Sequence, residues 1–287
     1  MPDWTIRALM EWTEQHFQQK GLESPRLEAQ LLLAHALTCK RVELYTRWDE
    51  PVAEGPRGQF RELVKRRLDG CPAMYLTGRR EFYALEFEVT PAVLIPRPET
   101  ELVVTETLNR IKSLPGPRVL DVGTGSGCIA IAIAQRNKSA IVTAIDLSAD
   151  ALDVAKRNAA RHGLAERIRF LAGDLLAPLP ADERFDVIVS NPPYISQPEL
   201  AALPRHVRDF EPRIALDGGP DGFAVYDRLI PAAVERLAPG GHLLLEIGAT
   251  RDEGVRRRIV AAGLEPGPTL RDDAKLPRVV TARRKSG

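Results

Sequence analysis

The first quarter of the chain carries apolar residues at helical spacing and almost no strand pattern. Leu27, Leu31 and Ala34 are one example, because residues three or four positions apart share one face of a helix. The same spacing predicts further helices over residues 4–19 and 57–69. The pattern therefore predicts a small all-α bundle at the amino terminus.

Residues 79–96 have a different pattern, rich in β-branched and aromatic side chains. The stretch EFYALEFEVTPAVLIP is interrupted at Thr90-Pro91, and Pro96 and Pro98 stiffen the chain that follows. This composition predicts a short β-hairpin that acts as a connector.

Beyond the hairpin, short apolar runs alternate with helical or loop segments, which is the pattern of βαβ units. The predicted strands are RVLDV, AIVTAID, RIRFLAG, FDVIVSN and GHLLLEIG. A helix over 251–262 and a last strand over 278–284 follow, and we expect that strand to pair antiparallel in an otherwise parallel, doubly wound sheet.

These patterns predict an α/β protein in three parts, and 287 residues are enough for two domains. The parts are a helical domain over 1–75, a β-hairpin connector over 76–98 and a Rossmann-like domain over 99–287.

Charge and cysteine content narrow the class of protein. The chain has 40 Lys and Arg against 39 Asp and Glu, which favours a small or protein substrate over nucleic acid bound by phosphate neutralisation. Three separated cysteines without a C-x-x-C pair disfavour disulfides and zinc, and the five histidines lack metal spacing. With no long apolar run and a charged amino terminus, we expect a cytoplasmic protein without a membrane segment or a metal.

A glycine-rich loop follows the strand RVLDV directly and precedes an apolar helix. The loop consists of Gly123, Thr124, Gly125, Ser126 and Gly127. Ligands bind at the carboxyl ends of parallel strands, and glycine lets a nucleoside approach the backbone closely. The G-x-G-x-G spacing differs from the dinucleotide fingerprint and, preceded by Asp121, resembles motif I of class I methyltransferases. The resemblance implies S-adenosyl-L-methionine as the cofactor.

Acidic residues near this loop have candidate roles of their own. Asp146 ends the next strand, where a carboxylate can accept hydrogen bonds from both ribose hydroxyls of the cofactor; capping of the following helix is the alternative. Ser148 is interpreted as the N-cap of a helix over 149–161. Asp121 either holds the loop amides or reaches the cationic methionine part. The family resemblance also implies that Asp174 contacts the adenine edge and that Leu175 forms an apolar wall for the base.

The strongest motif is Asn191, Pro192, Pro193 and Tyr194, directly after the strand FDVIVS. An amide nitrogen is a poor nucleophile, so a site that methylates it must orient it, and the Asn191 oxygen and the Pro192 carbonyl can accept its hydrogens. The prolines restrict the backbone, and the Tyr194 ring can pack on a planar amide. An ordinary proline-rich turn is the alternative. The motif leaves the acceptor open between a glutamine amide and an adenine amino group.

Two further segments favour glutamine. IPRPETE before the catalytic domain and FEPRIALDGG with Asp221-Gly222 after Tyr194 resemble the release-factor glutamine methyltransferases (PrmC/HemK), and the resemblance covers essentially the whole chain. It implies methylation of the glutamine in the Gly-Gly-Gln motif of class I peptide chain release factors, giving N5-methylglutamine.

Carried over by motif, Gly123 to Gly127, Asp146 and Asn191 contact the cofactor, and Asn191 to Tyr194 receive the glutamine. Arg97, Glu99 and Thr100 either line the cleft or form a buried network. The implied partner is a release factor, with no nucleic acid required and a monomeric enzyme. The helical domain either docks the release factor or stabilises the hinge. A methyltransferase for a ribosomal-protein glutamine or an adenine remains an alternative, as does a catalytically silent nucleotide-binding adaptor.

Overall fold

A computed structural model of the chain describes residues 4–286. The chain divides into two compact units. The first contains the described residues up to Arg79 together with Pro204–Phe210, and the second contains Arg80–Leu203 and the chain from Glu211 onward. In the described residues, no helix combines the length and the apolar character that crossing a membrane requires.

The first unit is a helical bundle. Its helices are α1 (Ile6–Gln19), α2 (Pro25–Ala36), α3 (Glu43–Thr46), α4 (Glu54–Leu68) and α5 (Ala73–Thr77). The helix α1 starts where the Thr5 hydroxyl accepts a hydrogen bond from the Ala8 N–H at 3.2 Å. The fully buried side chains of Ile6, Phe17 and Leu32 belong to its apolar core. Helical spacing in the sequence thus corresponds to helices that bury one face each.

A two-stranded hairpin follows, formed by β1 (Arg79–Phe82) and β2 (Leu85–Glu88). Its turn lies at Tyr83 and Ala84, whose φ angles are 51° and 57°. Positive φ at both central residues is the geometry of a two-residue turn that matches the twist of paired strands. Thr90-Pro91, which interrupts the pattern in the sequence, lies beyond the second strand.

The second unit is built on a seven-stranded sheet. Its strands are β3 (Arg118–Val122), β4 (Ile141–Asp146), β5 (Ile168–Ala172), β6 (Phe185–Ser190), β7 (Leu237–Glu246), β8 (Glu265–Arg271) and β9 (Pro277–Arg283). The strand order is β5-β4-β3-β6-β7-β9-β8. The first five strands in this order are parallel, whereas β9 pairs antiparallel with β7 and with β8. The predicted α/β class and the antiparallel last strand are confirmed.

Seven further helices lie between and before these strands in the described chain. They are α6 (Glu101–Ile111), α7 (Cys128–Arg136), α8 (Ala149–Arg161), α9 (Gln197–Ala202), α10 (Arg205–Arg208), α11 (Ala224–Arg236) and α12 (Asp252–Ala261). The short helix α10 belongs to the segment that packs with the helical unit. The helix α7 is apolar on every side and buried along most of its length, as expected of a helix in the core of a large domain.

Two apolar clusters occupy the second unit. One contains the buried side chains of α7 and of β3, such as Ile131 and Val119, and the other contains β6, β7 and α11 side chains, such as Ile188 and Leu243. The strands β4 and β6 lie on either side of β3. After β3, the chain adds β4 and β5 on one side of β3 and then crosses to add β6 and β7 on the other side. Such a reversal opens a crevice at the carboxyl ends of the strands, where ligands bind in this architecture.

Candidate active site

The predicted site residues follow four adjacent parallel strands at the point where each strand ends. The glycine loop follows β3, Asp146 ends β4, Asp174 comes after β5, and Asn191 comes after β6. The Ser190 hydroxyl donates to the Val122 carbonyl at 2.6 Å and so joins the ends of β6 and β3. The two motifs found separately in the sequence therefore lie at one edge of one sheet.

These residues surround a cavity of about 560 Å³, a size typical of sites for small molecules and cofactors. Of the predicted residues, nine line it: Gly123, Thr124, Gly125, Ser126, Asp146, Asp174, Leu175, Asn191 and Pro193. Gly127, Pro192 and Tyr194 are described by the structure but do not line the cavity. All residues of the cavity wall belong to the second unit.

The glycine loop leaves a cradle on the cavity side. Gly125 has a φ of 56° and Gly123 a φ of 72°, a region that side chains other than glycine rarely adopt. A Cβ atom placed on either residue would meet no atom within 4 Å, so it would project into open space. A ligand can therefore come closer to the backbone of this loop than it could if a side chain projected into the cavity.

Asp146 holds the loop from the neighbouring strand. Its Oδ2 accepts a hydrogen bond from the Gly125 N–H at 2.8 Å, and its Oδ1 accepts one from the Ser148 N–H at 2.9 Å. Burial raises the pKa of Asp146, and these backbone hydrogen bonds oppose the shift. A carboxylate has about four lone-pair directions, so Asp146 can still accept from a further hydroxyl donor.

Ser148 is the N-cap of α8, as predicted, and its hydroxyl accepts from the Ala151 N–H at 3.2 Å. The helix is therefore capped by Ser148, while the Asp146 side chain bonds to Gly125 in the glycine loop as well as to Ser148. This arrangement leaves Asp146 in the wall of the cavity rather than in the cap.

Asp121 lies fully buried under the loop. Its Oδ2 accepts from the Thr124 hydroxyl at 2.7 Å and from the Ala130 N–H at 3.2 Å, while its Oδ1 has no partner among residues 4–286. Burial raises the pKa of Asp121 to about 7, opposed by the hydrogen bonds from Thr124 and Ala130. The sequence left two roles for Asp121, holding the glycine loop or reaching the methionine part of the cofactor. The hydrogen bonds of Asp121 support the first role.

Asn158 is a buried residue of α8 that the sequence patterns did not identify. Its Nδ2 donates to the Ser126 carbonyl at 2.9 Å and to the Glu88 carbonyl at 3.0 Å, and its Oδ1 accepts from the Glu88 N–H at 2.7 Å. One amide side chain thus fastens both the glycine loop and the end of the hairpin to α8. The sequence did contain a signal for this residue. Asn158 lies in the middle of an apolar helix face, and a buried polar side chain needs hydrogen-bond partners.

Gly127 has a different environment from the other loop glycines. A Cβ atom there would lie 3.0 Å from Ile131 Cδ1 and 3.1 Å from Ala155 Cβ. The residue is the N-cap of α7 and lets that helix pack closely on α8. Its contribution to the site is therefore through helix packing.

The segment after β6 presents Asn191 to the cavity. The Asn191 Nδ2 donates to the Thr100 hydroxyl oxygen at 3.3 Å. Pro192 is buried behind it, and the Tyr194 ring packs next to Gly248, where an added Cβ would lie 3.1 Å from Tyr194 Cδ2. Burial raises the pKa of the Tyr194 hydroxyl to about 12, so this side chain stays uncharged at neutral pH.

The chain next to Tyr194 is supported by the segment FEPRIALDGG, residues 210–219. The Ile195 N–H donates to the Leu216 carbonyl at 3.0 Å, and the Gly218 N–H donates to the Ile195 carbonyl at 2.8 Å. A Cβ atom on Gly218 would lie 2.8 Å from Tyr194 Cα, which is too close for any side chain. This glycine is thus required by the close approach of two chain segments beside the Asn191–Tyr194 motif.

Arg97 and Thr100 line the cavity and also belong to buried networks. The Arg97 guanidinium donates to Glu211 Oε1 at 2.5 Å, and Glu211 Oε2 accepts from the Ile95 N–H at 3.2 Å. Glu99 does not line the cavity; it forms an ion pair with Arg278 at 3.7 Å. Arg97 and Thr100 therefore both line the cleft and belong to a buried network, the two alternatives that the sequence left for them.

At the far end of the cavity, Asp174 forms an ion pair with Arg228 of α11. Leu175 follows with a φ of 49° and packs against the second apolar cluster. Val225, Ile214 and Arg228 also line this cavity, and no sequence pattern placed them there. They come from segments that are distant in sequence, so only the tertiary fold brings them to the wall.

The residues present fit a nucleoside cofactor. The glycine cradle leaves space where a Cβ would otherwise lie, and Asp146 has free lone pairs on the cavity wall. The side chains of Leu175, Val225 and Ile214 offer apolar contacts for a flat base.

Two protein-family models match this chain. The model described as PrmC N-terminal domain matches residues 8–78, and the model described as Methyltransferase small domain matches residues 100–207. The order of the two matches along the chain is the order of the helical and α/β regions.

Full-length relatives are similar as well. A release factor glutamine methyltransferase from Rhodopirellula baltica is 51% identical over 248 residues, which cover 85% of this chain and 84% of the relative. One of the same name from Geobacter sulfurreducens is 44% identical over 280 residues, covering 98% and 97% of the two chains. A solved methyltransferase from Pyrococcus furiosus shares the fold, with a TM-score of 0.52 and 19% identity over 71% of this chain and 91% of that one.

Proposed function

We propose that this chain, which belongs to the family of release factor glutamine methyltransferases, transfers a methyl group from S-adenosylmethionine to a glutamine side-chain nitrogen (N5) in peptide chain release factors. Membership follows from the identity and coverage of the relatives described above. It confirms the family and the enzyme class predicted from the sequence. One observation of the structure carries the proposal: the glycine cradle, Asp146 and Asn191 line one cavity.

We propose the glutamine of the Gly-Gly-Gln motif in class I release factors as the acceptor, as the sequence resemblance implies. An amide NH₂ has two hydrogens and a delocalised lone pair, so it must be held by acceptors that direct the nitrogen. Asn191 offers its side-chain oxygen on the cavity wall, and the backbone around Pro192 is stiffened by two consecutive prolines. This arrangement supports a planar amide as the acceptor.

The residues of the chain act mainly by positioning. S-adenosylmethionine supplies an electrophilic methyl group when it is bound. Asp146 and the loop from Gly123 to Ser126 would hold the ribose and methionine parts, with Gly127 packing α7 on α8. Asp174 and Leu175 would hold the base. Asn191 and Pro193 would orient the acceptor from the cavity wall, supported by Pro192 and Tyr194. Fixing two reactants in this way can supply about 7–11 kcal/mol of the barrier at best. The proton that the acceptor nitrogen loses would pass to solvent water, and the electron pair of the broken S–CH₃ bond would stay on the cofactor sulfur.

We also propose roles for the predicted parts of the chain. The helical domain over 1–75 docks the release factor, the hairpin over 76–98 connects the domains, and residues 99–287 carry the catalytic site. Support comes from the compact helical unit, whose core is separate, and from a cavity wall that lies entirely in the other unit. Stabilisation of the hinge is the alternative role of the helical domain.

A truncated chain that starts at Arg80 tests this division of roles. We expect it to bind the cofactor, to methylate intact release factor poorly, and to methylate a short Gly-Gly-Gln peptide as well as the full chain does, because a peptide lacks the docking surface. Equal activity of both chains on the intact factor would make the helical domain dispensable for recognition.

We propose further that the enzyme works as a cytoplasmic monomer without nucleic acid. The free thiols of Cys39, Cys71 and Cys128 suit a reducing compartment, and the near-zero net charge of +1 argues against binding through phosphate neutralisation. Light scattering coupled to size-exclusion chromatography measures the oligomeric state directly.

Mass spectrometry of a purified release factor, incubated with this protein and S-adenosylmethionine, tests the proposed function. We expect one added methyl group on the Gly-Gly-Gln glutamine, and none on a factor whose glutamine there is replaced by alanine. The Asn191→Ala variant is the matched enzyme control. Methylation of a ribosomal-protein glutamine or an adenine instead would identify one of the alternative acceptors, and binding without any transfer would favour the adaptor.

A further inference from the structure

The Asn191 side chain of the acceptor motif is linked to two buried polar side chains from other elements. Asn191 follows β6, Thr100 precedes α6, and Glu246 ends β7. The Asn191 Nδ2 donates to Thr100 Oγ1 at 3.3 Å, and Thr100 and Glu246 are each 2% exposed. Burial raises the pKa of Glu246 to about 7, and a hydrogen bond from the Thr100 side chain opposes that shift.

The sheet explains why Glu246 lies at this position. In the parallel pair of β6 and β7, Ser190 is opposite Leu245, so the next residues along, Asn191 and Glu246, are neighbours at the sheet edge. The Tyr226 hydroxyl donates to the backbone carbonyl of Glu246 at 2.7 Å and holds the end of β7. The carboxyl group is therefore placed by the backbone of a central strand.

Thr100 occupies an N-cap position without capping its helix. Its side chain makes no cap hydrogen bond to the first turn of α6, although capping is the usual role of threonine there. The hydroxyl is therefore available to side chains. It carries a single hydrogen, which it can donate, and lone pairs, which can accept.

The direction of the hydrogen bonds follows from these groups. Above its pKa of about 7, Glu246 is a carboxylate that only accepts, so in this form the Thr100 hydroxyl donates its hydrogen to Glu246. The Thr100 oxygen then faces Asn191 as an acceptor, and only the NH₂ end of the Asn191 amide can meet it. The Asn191 oxygen is consequently left for the cavity side, because the two ends of an amide point apart.

We propose that Glu246 is a positioning residue, which acts through Thr100 to turn the Asn191 side-chain oxygen toward the acceptor nitrogen. The inference rests on the proposed function and assigns a role to two residues that do not react. Without the carboxylate, Thr100 can donate to the Asn191 oxygen instead, and the amide can flip. Its NH₂ group would then face the NH₂ group of the acceptor, with no hydrogen-bond acceptor between them.

Three variants of the full chain test the proposal. Thr100→Val removes the hydroxyl at nearly constant volume, Glu246→Gln replaces an acceptor by a group that can also donate, and Thr100→Ser keeps the hydroxyl as the matched control. With saturating S-adenosylmethionine at pH 8, above the pKa of Glu246, we expect Thr100→Val and Glu246→Gln to lower kcat on release factor about 10- to 100-fold, the range expected when a buried hydrogen bond that holds an orienting residue is lost. We expect Thr100→Ser to retain kcat within about threefold, and KM to stay nearly constant in all three.

The double variant supplies the decisive comparison. If both residues act through one network, Thr100→Val combined with Glu246→Gln is no slower than the slower single variant. Multiplied effects of the two single variants, or a kcat of Thr100→Val near that of the parent, would overturn the proposal. Thermal unfolding and calorimetry with S-adenosylmethionine confirm that each variant is folded and binds the cofactor.

The parent protein separates this proposal from the proposed function. If the parent does not methylate the Gly-Gly-Gln glutamine, the proposed function fails and the positioning role fails with it. If the parent methylates it and Thr100→Val and Glu246→Gln do so equally fast, only the positioning role is wrong.

Discussion

Replacing Gly125 by alanine should separate cofactor binding from folding. Gly125 lies in the wall of the cavity with a φ of 56°, and an added Cβ would project into open space with no atom within 4 Å. The substitution therefore costs backbone strain but no steric clash with the protein. A left-handed conformation costs an alanine about 1–2 kcal/mol.

Gly163 offers a matched control for this strain. It has a φ of 68°, its added Cβ also meets no atom within 4 Å, and it does not line the cavity. We expect Gly125→Ala and Gly163→Ala to lose similar free energy of unfolding, about 1–2 kcal/mol each. Any difference in cofactor affinity between them then comes from the position of the new methyl group.

Calorimetric titration with S-adenosylmethionine measures that difference. We expect Gly163→Ala to bind as the parent does, and Gly125→Ala to bind at least about tenfold more weakly, which corresponds to about 1.4 kcal/mol. Gly127→Ala should instead lose more free energy of unfolding than Gly163→Ala, because its Cβ would lie 3.0 Å from Ile131 Cδ1. Affinities of Gly125→Ala and Gly163→Ala within twofold of each other would refute the idea that the cradle receives the cofactor.

Three other predictions concern polar residues of the site. Asp146→Ala should weaken S-adenosylmethionine binding by about 1.5–3 kcal/mol, the value of hydrogen bonds to a charged group; unchanged affinity in calorimetry would remove Asp146 from the site. Asn191→Ala should lower turnover about 10²–10³-fold at saturating cofactor, with circular dichroism as the folding control, and near-normal turnover would contradict its orienting role. The pKa of Asp121 is raised from 3.8 to about 7 in the folded protein, so folding favours the protonated form of this side chain. The free energy of unfolding of the parent protein therefore falls as the pH rises from about 4 to about 7. Asp121→Asn should thus match the parent near pH 4 and exceed it near pH 8 by up to the order of 4 kcal/mol in urea unfolding; a constant difference across this range would show that Asp121 does not titrate as proposed.

Local patterns in the sequence were sufficient for several elements. The strand RVLDV is β3, residues 149–161 are α8 with Ser148 as its cap, and the last strand pairs antiparallel. Each depends on periodicity, on a capping side chain or on a run of apolar residues, all of which are properties of neighbouring positions. The glycine loop was located in the same way, because its spacing and its place after a strand are both visible in the chain.

The strand β8 was not predicted, and its composition explains the omission. Glu265–Arg271 contains Pro266 and Pro268, which disfavour a central strand. In the structure β8 lies at the edge of the sheet and pairs with β9 alone, so a missing N–H does not break a ladder on its other side. Position within the sheet, which the local sequence does not encode, decided the outcome.

What the sequence determined by itself is the chemistry at each strand end: a glycine loop, an acid, and the Asn191–Tyr194 motif. What only the tertiary structure decided is which further side chains meet them. Asp174 pairs with Arg228 and Asn191 bonds to Thr100 across sequence separations of 54 and 91 residues. No local period relates such positions, because their contact depends on strand order and on helices packed over the sheet. Glu246 gains its place beside Asn191 only through the parallel register of β6 and β7.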